Sequence, residues 1–321
     1  MKKTIHWIAS VMAVLTVLLF SRGIEPRVSA QEGEAVSTAP STEQPAAKTA
    51  EFVGAETCIA CHADRASFKD NIHARAWPAA KGIDFSKSCE TCHGPGSLHG
   101  GAAGDKGNAD FFTIKNPKTL SSKNVAKLCL ECHQGGNRFH WDGGSHDSRD
   151  VSCLSCHSLH HAKSKEEKFL LAKTTEMETC YQCHSVKKAQ FQRSSHMPLH
   201  EGKLTCTSCH NPHGSVGPTL LKQASVNENC LSCHAEKKGP FLWEHAPVRE
   251  NCLNCHTPHG SKHEKLLKTK RPRLCQQCHI ITRHPSTAST PSSITLVGRS
   301  CTECHSQIHG SNHPAGVRFQ R

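Results

Sequence analysis

All twenty cysteines of this 321-residue chain fall into one repeated pentapeptide, C-x-x-C-H, with none left over. In order the copies are Cys58/Cys61/His62, Cys89/Cys92/His93, Cys129/Cys132/His133, Cys153/Cys156/His157 and Cys180/Cys183/His184. Then come Cys206/Cys209/His210, Cys230/Cys233/His234, Cys252/Cys255/His256, Cys275/Cys278/His279 and Cys301/Cys304/His305. Positions i, i+3 and i+4 share one face of a helical turn, so each copy presents two thiols and an imidazole on the same side. Zinc sites built from C-x-x-C pairs need no histidine at the next position. With 26 histidines in the chain, ten in ten by chance has odds of about one in 10¹¹. Disulfide frameworks need no such histidine either, and their spacing is usually irregular. The pattern is that of c-type haem attachment. The two sulfurs bond the vinyl-derived carbons of one porphyrin edge, and the histidine becomes the proximal iron ligand. Ten motifs imply ten covalently bound haem c groups.

Composition agrees with an interior that side chains do not fill. Hydrophobic residues make up 36% of the chain, cysteines included, aromatics only 5%, and there is a single Tyr. With the cysteines set aside, roughly 96 ordinary apolar residues remain, about 30% of the chain. A length of this order normally buries a core rich in Leu, Ile, Val and Phe. Ordinary α/β enzymes, coiled coils and multi-span membrane proteins are excluded. Ten flat apolar macrocycles take the place of the missing aliphatic core. The expected fold is a multihaem cytochrome c with little regular secondary structure. Short α-helices and loops wrap an elongated stack of ten haems, with no significant β-sheet. The helices carry the C-x-x-C-H turns, as around Asn124 to His133.

Lys2 and Lys3 precede an apolar run from Trp7 to Phe20, the length of a signal-peptide core rather than of a membrane span. Val28-Ser29-Ala30 gives the small-x-small pattern of a cleavage site. Residues 1–30 are therefore read as a signal peptide and 31–52 as a flexible leader rich in Ala, Ser, Thr, Pro and Glu. Residues 53–321 are read as the decahaem domain. Export places the chain in the periplasm, where thioether attachment takes place, and no stretch of the mature chain approaches membrane length.

The remaining histidines are orderly. A close downstream histidine follows each even-numbered motif: His99, His160, His213, His259 and His309. A more distant one follows each odd-numbered motif: His73, His146, His196, His245 and His284. These ten are the candidate distal iron ligands. The register makes five tandem two-haem units, with first cysteines at 58, 129, 180, 230 and 275, which predicts a quasi-linear stack. A Leu-Leu pair recurs eight or nine residues before Cys180, Cys230 and Cys275, as Leu170-Leu171, Leu220-Leu221 and Leu266-Leu267. His140, His161, His200, His263 and His313 fall outside the register and read as surface or haem-edge residues, with His313 the rival of His284. His213 lies three residues beyond His210, a reach of about 10 Å at most. That is too short to carry the backbone round a porphyrin edge, so His213 must serve a neighbouring haem. The expectation is exchange within units, the downstream histidine serving the odd haem and the mid-unit histidine the even one.

With two histidines per iron, no site is open to substrate. Met177 and Met197 are the only mature methionines, so Met/His ligation, which raises potential, is at most a rare exception. All ten motifs keep the plain C-x-x-C-H form. The chain therefore reads as an outer-sphere electron-transfer protein and not an enzyme. The formal charge is +12. Residues 1–30 hold Lys2, Lys3, Arg22, Arg27 and Glu25, so the mature chain carries +9. Each haem adds two propionates and a ferric centre of about +1, so ten bring the oxidised protein near neutrality. The basic run Lys265 to Arg273 reads as partners of propionates and solvent, not as a nucleic-acid site.

On these motifs, on the CHNPHG and CHTPHG segments at His210 and His256, and on the closing stretch CHSQIHGSNHPAGVRFQR, the chain resembles the MtrA/DmsE-type periplasmic decahaem cytochromes. The resemblance covers the whole mature chain. It implies bis-histidine haems in a continuous chain, two related pentahaem halves, and an outer-membrane β-barrel, porin-like partner that sheathes the cytochrome. It also implies periplasmic or inner-membrane cytochromes as exchange partners at one end, and a cell-surface multihaem cytochrome or metal oxide at the other. A soluble periplasmic donor to a terminal reductase is the alternative. The wider spacing from Cys58 to Cys129 and the acidic leader depart from the family pattern.

Overall fold

Short helices form wherever a capping residue precedes an attachment motif. Ser121 accepts from the amide of Asn124 at 3.3 Å and opens the helix Ser122–Leu130. Thr175 with Glu178 and Ser225 with Glu228 build reciprocal capping boxes for Glu176–Tyr181 and Val226–Leu231. In the computed structural model, which describes residues 48–164, 169–280, 300–314 and 316–319, Ile72–Lys81 is the longest α-helix. We call Ala55–Cys61 α1, Ile72–Lys81 α2, Ser88–His93 α3, Ser97–Gly101 α4, Ser122–Leu130 α5, Glu176–Tyr181 α6, Ser185–Phe191 α7 and Cys206–Cys209 α8. Val226–Leu231 is α9, Ala246–Glu250 α10 and Arg273–Gln276 α11.

The helical turn expected of every motif is present. His133 donates its amide to the Cys129 carbonyl at 3.0 Å, and the same i to i+4 bond recurs from His62 to Cys58 through to His305 and Cys301. His93 ends α3 instead. No strand forms among the described residues, only isolated bridges such as His157 with Leu171, His210 with Leu221 and His256 with Leu267.

Those bridges give the Leu-Leu pairs a structural role. Leu170, Thr219, Leu220, Lys265 and Leu266 all have φ between 47° and 61°, a left-handed turn that non-glycine residues adopt at a cost of about 1–2 kcal/mol. The turn folds the chain back onto the attachment motif. Asn211 then donates to the Leu220 carbonyl at 2.8 Å, and Lys222 to that of Cys209 at 2.9 Å. Thr257 with Leu266, and Ser158 with Leu170, repeat the first bond at 2.8 and 2.7 Å. Two backbone bonds per clip offset the strain.

The side-chain core is thin, as composition requires. Eleven apolar residues are buried among those described, and the largest side chains below 2% exposure are only Val125 and Ser88. Residues within the span read as leader contact the following helices. Lys48 pairs with Asp110 at 2.8 Å, and Glu51 exchanges two bonds with Ser97 in α4. The signal peptide, most of the leader, and His284 lie outside the described residues. No helix among the described residues is long and apolar enough to cross a membrane.

Candidate haem-binding sites

Eight of the ten motif histidines face a second imidazole. Ring centroids stand 6.3 Å apart for His62 and His99, 6.0 Å for His93 and His160, and 5.8 Å for His133 and His73. The separations are 6.1 Å for His157 and His213, 6.2 Å for His184 and His146, and 6.1 Å for His210 and His259. His256 and His309 stand 6.3 Å apart, and His279 and His245 6.1 Å. An iron bound by two imidazole nitrogens at about 2 Å each requires a centroid separation of about 6 Å. The donor set and spacing therefore fit haem iron.

The thiols are ordered in the same sense. Within each expected unit the first cysteines adjoin: Cys58 with Cys89, Cys129 with Cys153, Cys180 with Cys206, Cys230 with Cys252, and Cys275 with Cys301. Between units the second cysteines lie within electrostatic reach: Cys92 of Cys132, Cys156 of Cys183, Cys209 of Cys233, and Cys255 of Cys278. Burial, with the neighbouring thiol, pushes Cys58, Cys230 and Cys275 up to about 11. None of the twenty forms a disulfide.

Exposure of the second cysteines divides by motif, which the uniform sequence pattern does not foretell. Those of the odd motifs, Cys61, Cys132, Cys183, Cys233 and Cys278, are exposed, whereas Cys92, Cys156, Cys209 and Cys255 of the even motifs are half-buried. Cys304 breaks the even pattern. It belongs to the tenth motif yet is exposed. The motif turn itself is intact there, with the Cys304 amide donating to the Cys301 carbonyl at 3.3 Å. The sequence reading puts Cys304 on the same footing as the other attachment cysteines; the structure sets it apart from the other even-motif thiols by its exposure.

Known proteins carry the same motifs. The family described as "Doubled CXXCH motif" matches residues 146–189, 196–239 and 245–283, and "Cytochrome c554 and c-prime" matches 28–94. The multiheme cytochrome MtrA of Shewanella baltica (strain OS185) is 40% identical over 286 residues, covering 84% of this chain and 81% of the relative. The chain belongs to the MtrA family of multihaem c-type cytochromes. It is an electron-transfer cytochrome that binds haem c covalently. The doubled-motif matches begin at His146, His196 and His245 and each spans an even motif and the following odd one. They are phased one motif later than the sequence-read units.

Ring pairing in this MtrA-family chain follows that later phase. Among the described residues the expected exchange within units holds only for His99 with His62. Elsewhere the mid-unit histidine reaches forward to the next odd motif, as His146 does to His184. The short-tether histidine reaches back to the preceding even motif, as His213 does to His157. The backward reach depends on the glycine after that histidine. A Cβ on Gly214 would stand 1.9 Å from the His140 carbonyl oxygen, and one on Gly260 2.0 Å from that of Gln190. Both glycines have positive φ, 112° and 149°, so the loop seats against the previous unit only without a side chain.

Each of the eight pairs has one imidazole whose Nδ1 donates a hydrogen bond that leaves Nε2 free to ligate. At the even motifs it is the motif histidine. His93 donates to the Lys115 carbonyl at 2.7 Å, His157 to Phe169 at 2.7 Å, His210 to Thr219 at 3.0 Å and His256 to Lys265 at 2.8 Å. The acceptors Phe169, Thr219 and Lys265 lie beside or within the left-handed clips, and His305 with Arg318 at 2.5 Å extends the series. At the odd motifs it is the second histidine. His99 donates to Phe111 at 2.7 Å, His146 to Pro212 at 2.8 Å and His245 to Ile308 at 3.0 Å. His73 uses the Asn71 Oδ1 at 3.3 Å. These acceptors are backbone groups in all but one case, so residue identity gave little sign of them.

The opposite imidazoles at the even motifs are held by burial. Burial, with nearby cationic groups, lowers His160, His213 and His259 to about 4. The buried Nδ1 of His213 has no hydrogen-bond partner. His309 is lowered for the same first reason.

His234 shows no such ring contact among the described residues. His234 Nδ1 stands 3.5 Å from the Glu236 carboxylate. Its register partner His196 donates from Nδ1 to the Arg193 carbonyl at 2.7 Å, contacts Glu201 at 3.2 Å through Nε2, and lies 5.8 Å from His200. His305 would look to His284, which lies outside the described residues. Of the histidines outside the register, His161 bonds to Arg65, and the His140 carbonyl packs closely against Gly214.

Proposed function

We propose that the chain is a ten-haem wire. It would carry electrons between inner-membrane or periplasmic donors and extracellular acceptors such as metal oxides, through an outer-membrane β-barrel. The observation that supports it most is the unbroken succession of thiol neighbours, from Cys58/Cys89 to Cys275/Cys301, which runs through all ten motifs in chain order. Haem c held there would supply one-electron exchange without bond formation to a substrate.

The reading assigns His62, His93, His133, His157, His184, His210, His234, His256, His279 and His305 as proximal ligands. The distal ligands, in the same order, are His99, His160, His73, His213, His146, His259, His196, His309, His245 and His284. Both chain ends follow from the crossed register. The first motif has no earlier unit to lend it a histidine, and His99 has no earlier even motif to serve, so they pair. At the other end the tenth motif and His284 are left over in the same way.

Paired imidazoles on every iron close it to substrate, which supports an electron-transfer role without catalysis. No described helix is long and apolar enough to cross a membrane, so passage of electrons across the outer membrane would rely on a barrel as the sheath. Reconstitution tests it. The holoprotein, co-expressed with a β-barrel encoded beside it, is extracted in detergent and placed in liposomes containing a redox dye. Reduction of the enclosed dye by an external donor is expected only when both proteins are present. A freely soluble holoprotein that never co-purifies with the barrel would contradict the reading.

A further inference from the structure

Between α1 and α2 the side chain of Asn71 stands between two of the assigned histidines. Its Oδ1 accepts from the His73 amide at 2.9 Å and from the His73 ring Nδ1 at 3.3 Å. Its Nδ2 donates to the carbonyl of Leu159 at 2.7 Å, the residue immediately before His160. Two later joints make the same connection without a side chain between. His146 donates to the carbonyl of Pro212, just before His213, and His245 to that of Ile308, just before His309. At three joints, then, one imidazole is anchored on the peptide segment that delivers the imidazole of the neighbouring pair. Only the first joint needs an amide side chain to bridge the gap.

That joint differs in a second respect. The planes of His73 and His133 cross at 90°, and those of His146 and His184 at 62°. The other six pairs cross at 11° to 26°. An Nδ1–H bond to a fixed acceptor restrains rotation of the ring about its Cβ–Cγ bond and strengthens its donation to a metal. Asn71 is itself fixed at its far end by Leu159, so its acceptor does not follow the ring.

We propose that Asn71 is a positioning residue. It holds the His73 imidazole perpendicular to His133 and ties it to the segment carrying His160, so the sites of the Cys129/Cys132 and Cys89/Cys92 motifs share one mechanical link. The inference rests on the ligand assignment above. It goes beyond that assignment in giving one site an orientation, and hence an electronic character, that a non-ligand residue sets.

Electron paramagnetic resonance of the oxidised holoprotein tests it. Perpendicular imidazole planes give a ferric low-spin site a large-gmax, axial signal, and near-parallel planes a rhombic one. His73→Ala should remove the most axial component and produce one equivalent of high-spin haem. If it does not, the ligand assignment fails rather than the relay. Asn71→Ser keeps an N-cap acceptor for the His73 amide but reaches neither the ring nor Leu159. It should move that component toward the rhombic group and raise that site's midpoint potential, with the low-spin count unchanged. Asn71→Asp keeps an Oδ acceptor for the ring but no donor for the Leu159 carbonyl, so it should retain the axial component only in part. If Asn71→Ser leaves both component and potential in place, or if Asn71→Asp loses the component as fully as Ser does, the positioning role is overturned.

Discussion

The ring of His213 lies 6.1 Å from that of His157 with the planes 11° apart, while the histidine of its own motif, His210, faces His259. A histidine three residues downstream of one motif therefore belongs to an earlier one. His213→Met should convert a bis-imidazole site to Met/His and raise its potential. The raised site should be the one on Cys153/Cys156. Redox titration followed by assignment of the haem methyl resonances checks this, and a shift confined to the Cys180/Cys183 site would contradict it.

Gly260→Ala should destabilise the joint between units. The new Cβ would meet the Gln190 carbonyl at 2.0 Å, and φ is 149°, so the loss should be about 1–3 kcal/mol. Gly100→Ala is the control, with nothing within 4 Å of its Cβ and a place inside α4. It should be neutral or slightly stabilising. Melting temperatures of the two holoproteins separate them, at about 2–4 °C per kcal/mol for a chain of this size.

These two sites show where sequence stops being informative. That His213 cannot ligate the His210 iron follows from chain reach alone. Which neighbour it serves does not, because a tether of three residues permits a turn toward either adjoining motif. The direction is set by the seat of Gly214 on His140 and by Asn211 donating to the Asn137 carbonyl at 2.7 Å. Both contacts are with backbone far away in sequence. The absence of a sheet, the helical motif turns and the thin core were legible because attachment chemistry fixes local geometry. The Leu-Leu repeat was visible as a marker, but its left-handed turn has no glycine to announce it.

In the chain free of haem iron, acid should weaken the fold through the buried imidazoles of His160, His213 and His259. His160, His213 and His259 sit near 4 in the folded chain against an ordinary value of 6.5, so the unfolded chain binds more protons between those limits. Stability is then steady above pH 6.5 and falls as pH drops from 6.5 toward 4. Denaturant midpoints measured across that interval should decline monotonically. A midpoint constant from pH 7 to 4 would remove burial as the factor holding these rings neutral.

Glu90, only 4% exposed, accepts from the amides of Val53 and Gly54 at 3.0 Å each and of Gly96 at 2.8 Å. Glu90→Ala strands three donors, each costing about 1–3 kcal/mol unless water reaches them. The expected response is local opening of residues 48–54, seen as faster amide exchange and cleavage there. Glu90→Gln should be intermediate, since its single acceptor oxygen still serves the two amides now on Oε1. Equal protection in all three proteins would show that the carboxylate does not hold this segment.

The central claim is that two imidazoles close every iron of a ten-haem chain. Low-temperature electron paramagnetic resonance of the fully oxidised holoprotein, with low-spin and high-spin intensities integrated against total iron, tests it most directly. The account predicts ten irons per chain, all in low-spin bis-imidazole sites, with one site more axial than the rest. A full equivalent of high-spin iron would contradict it, because an open position would then exist where a paired histidine is claimed.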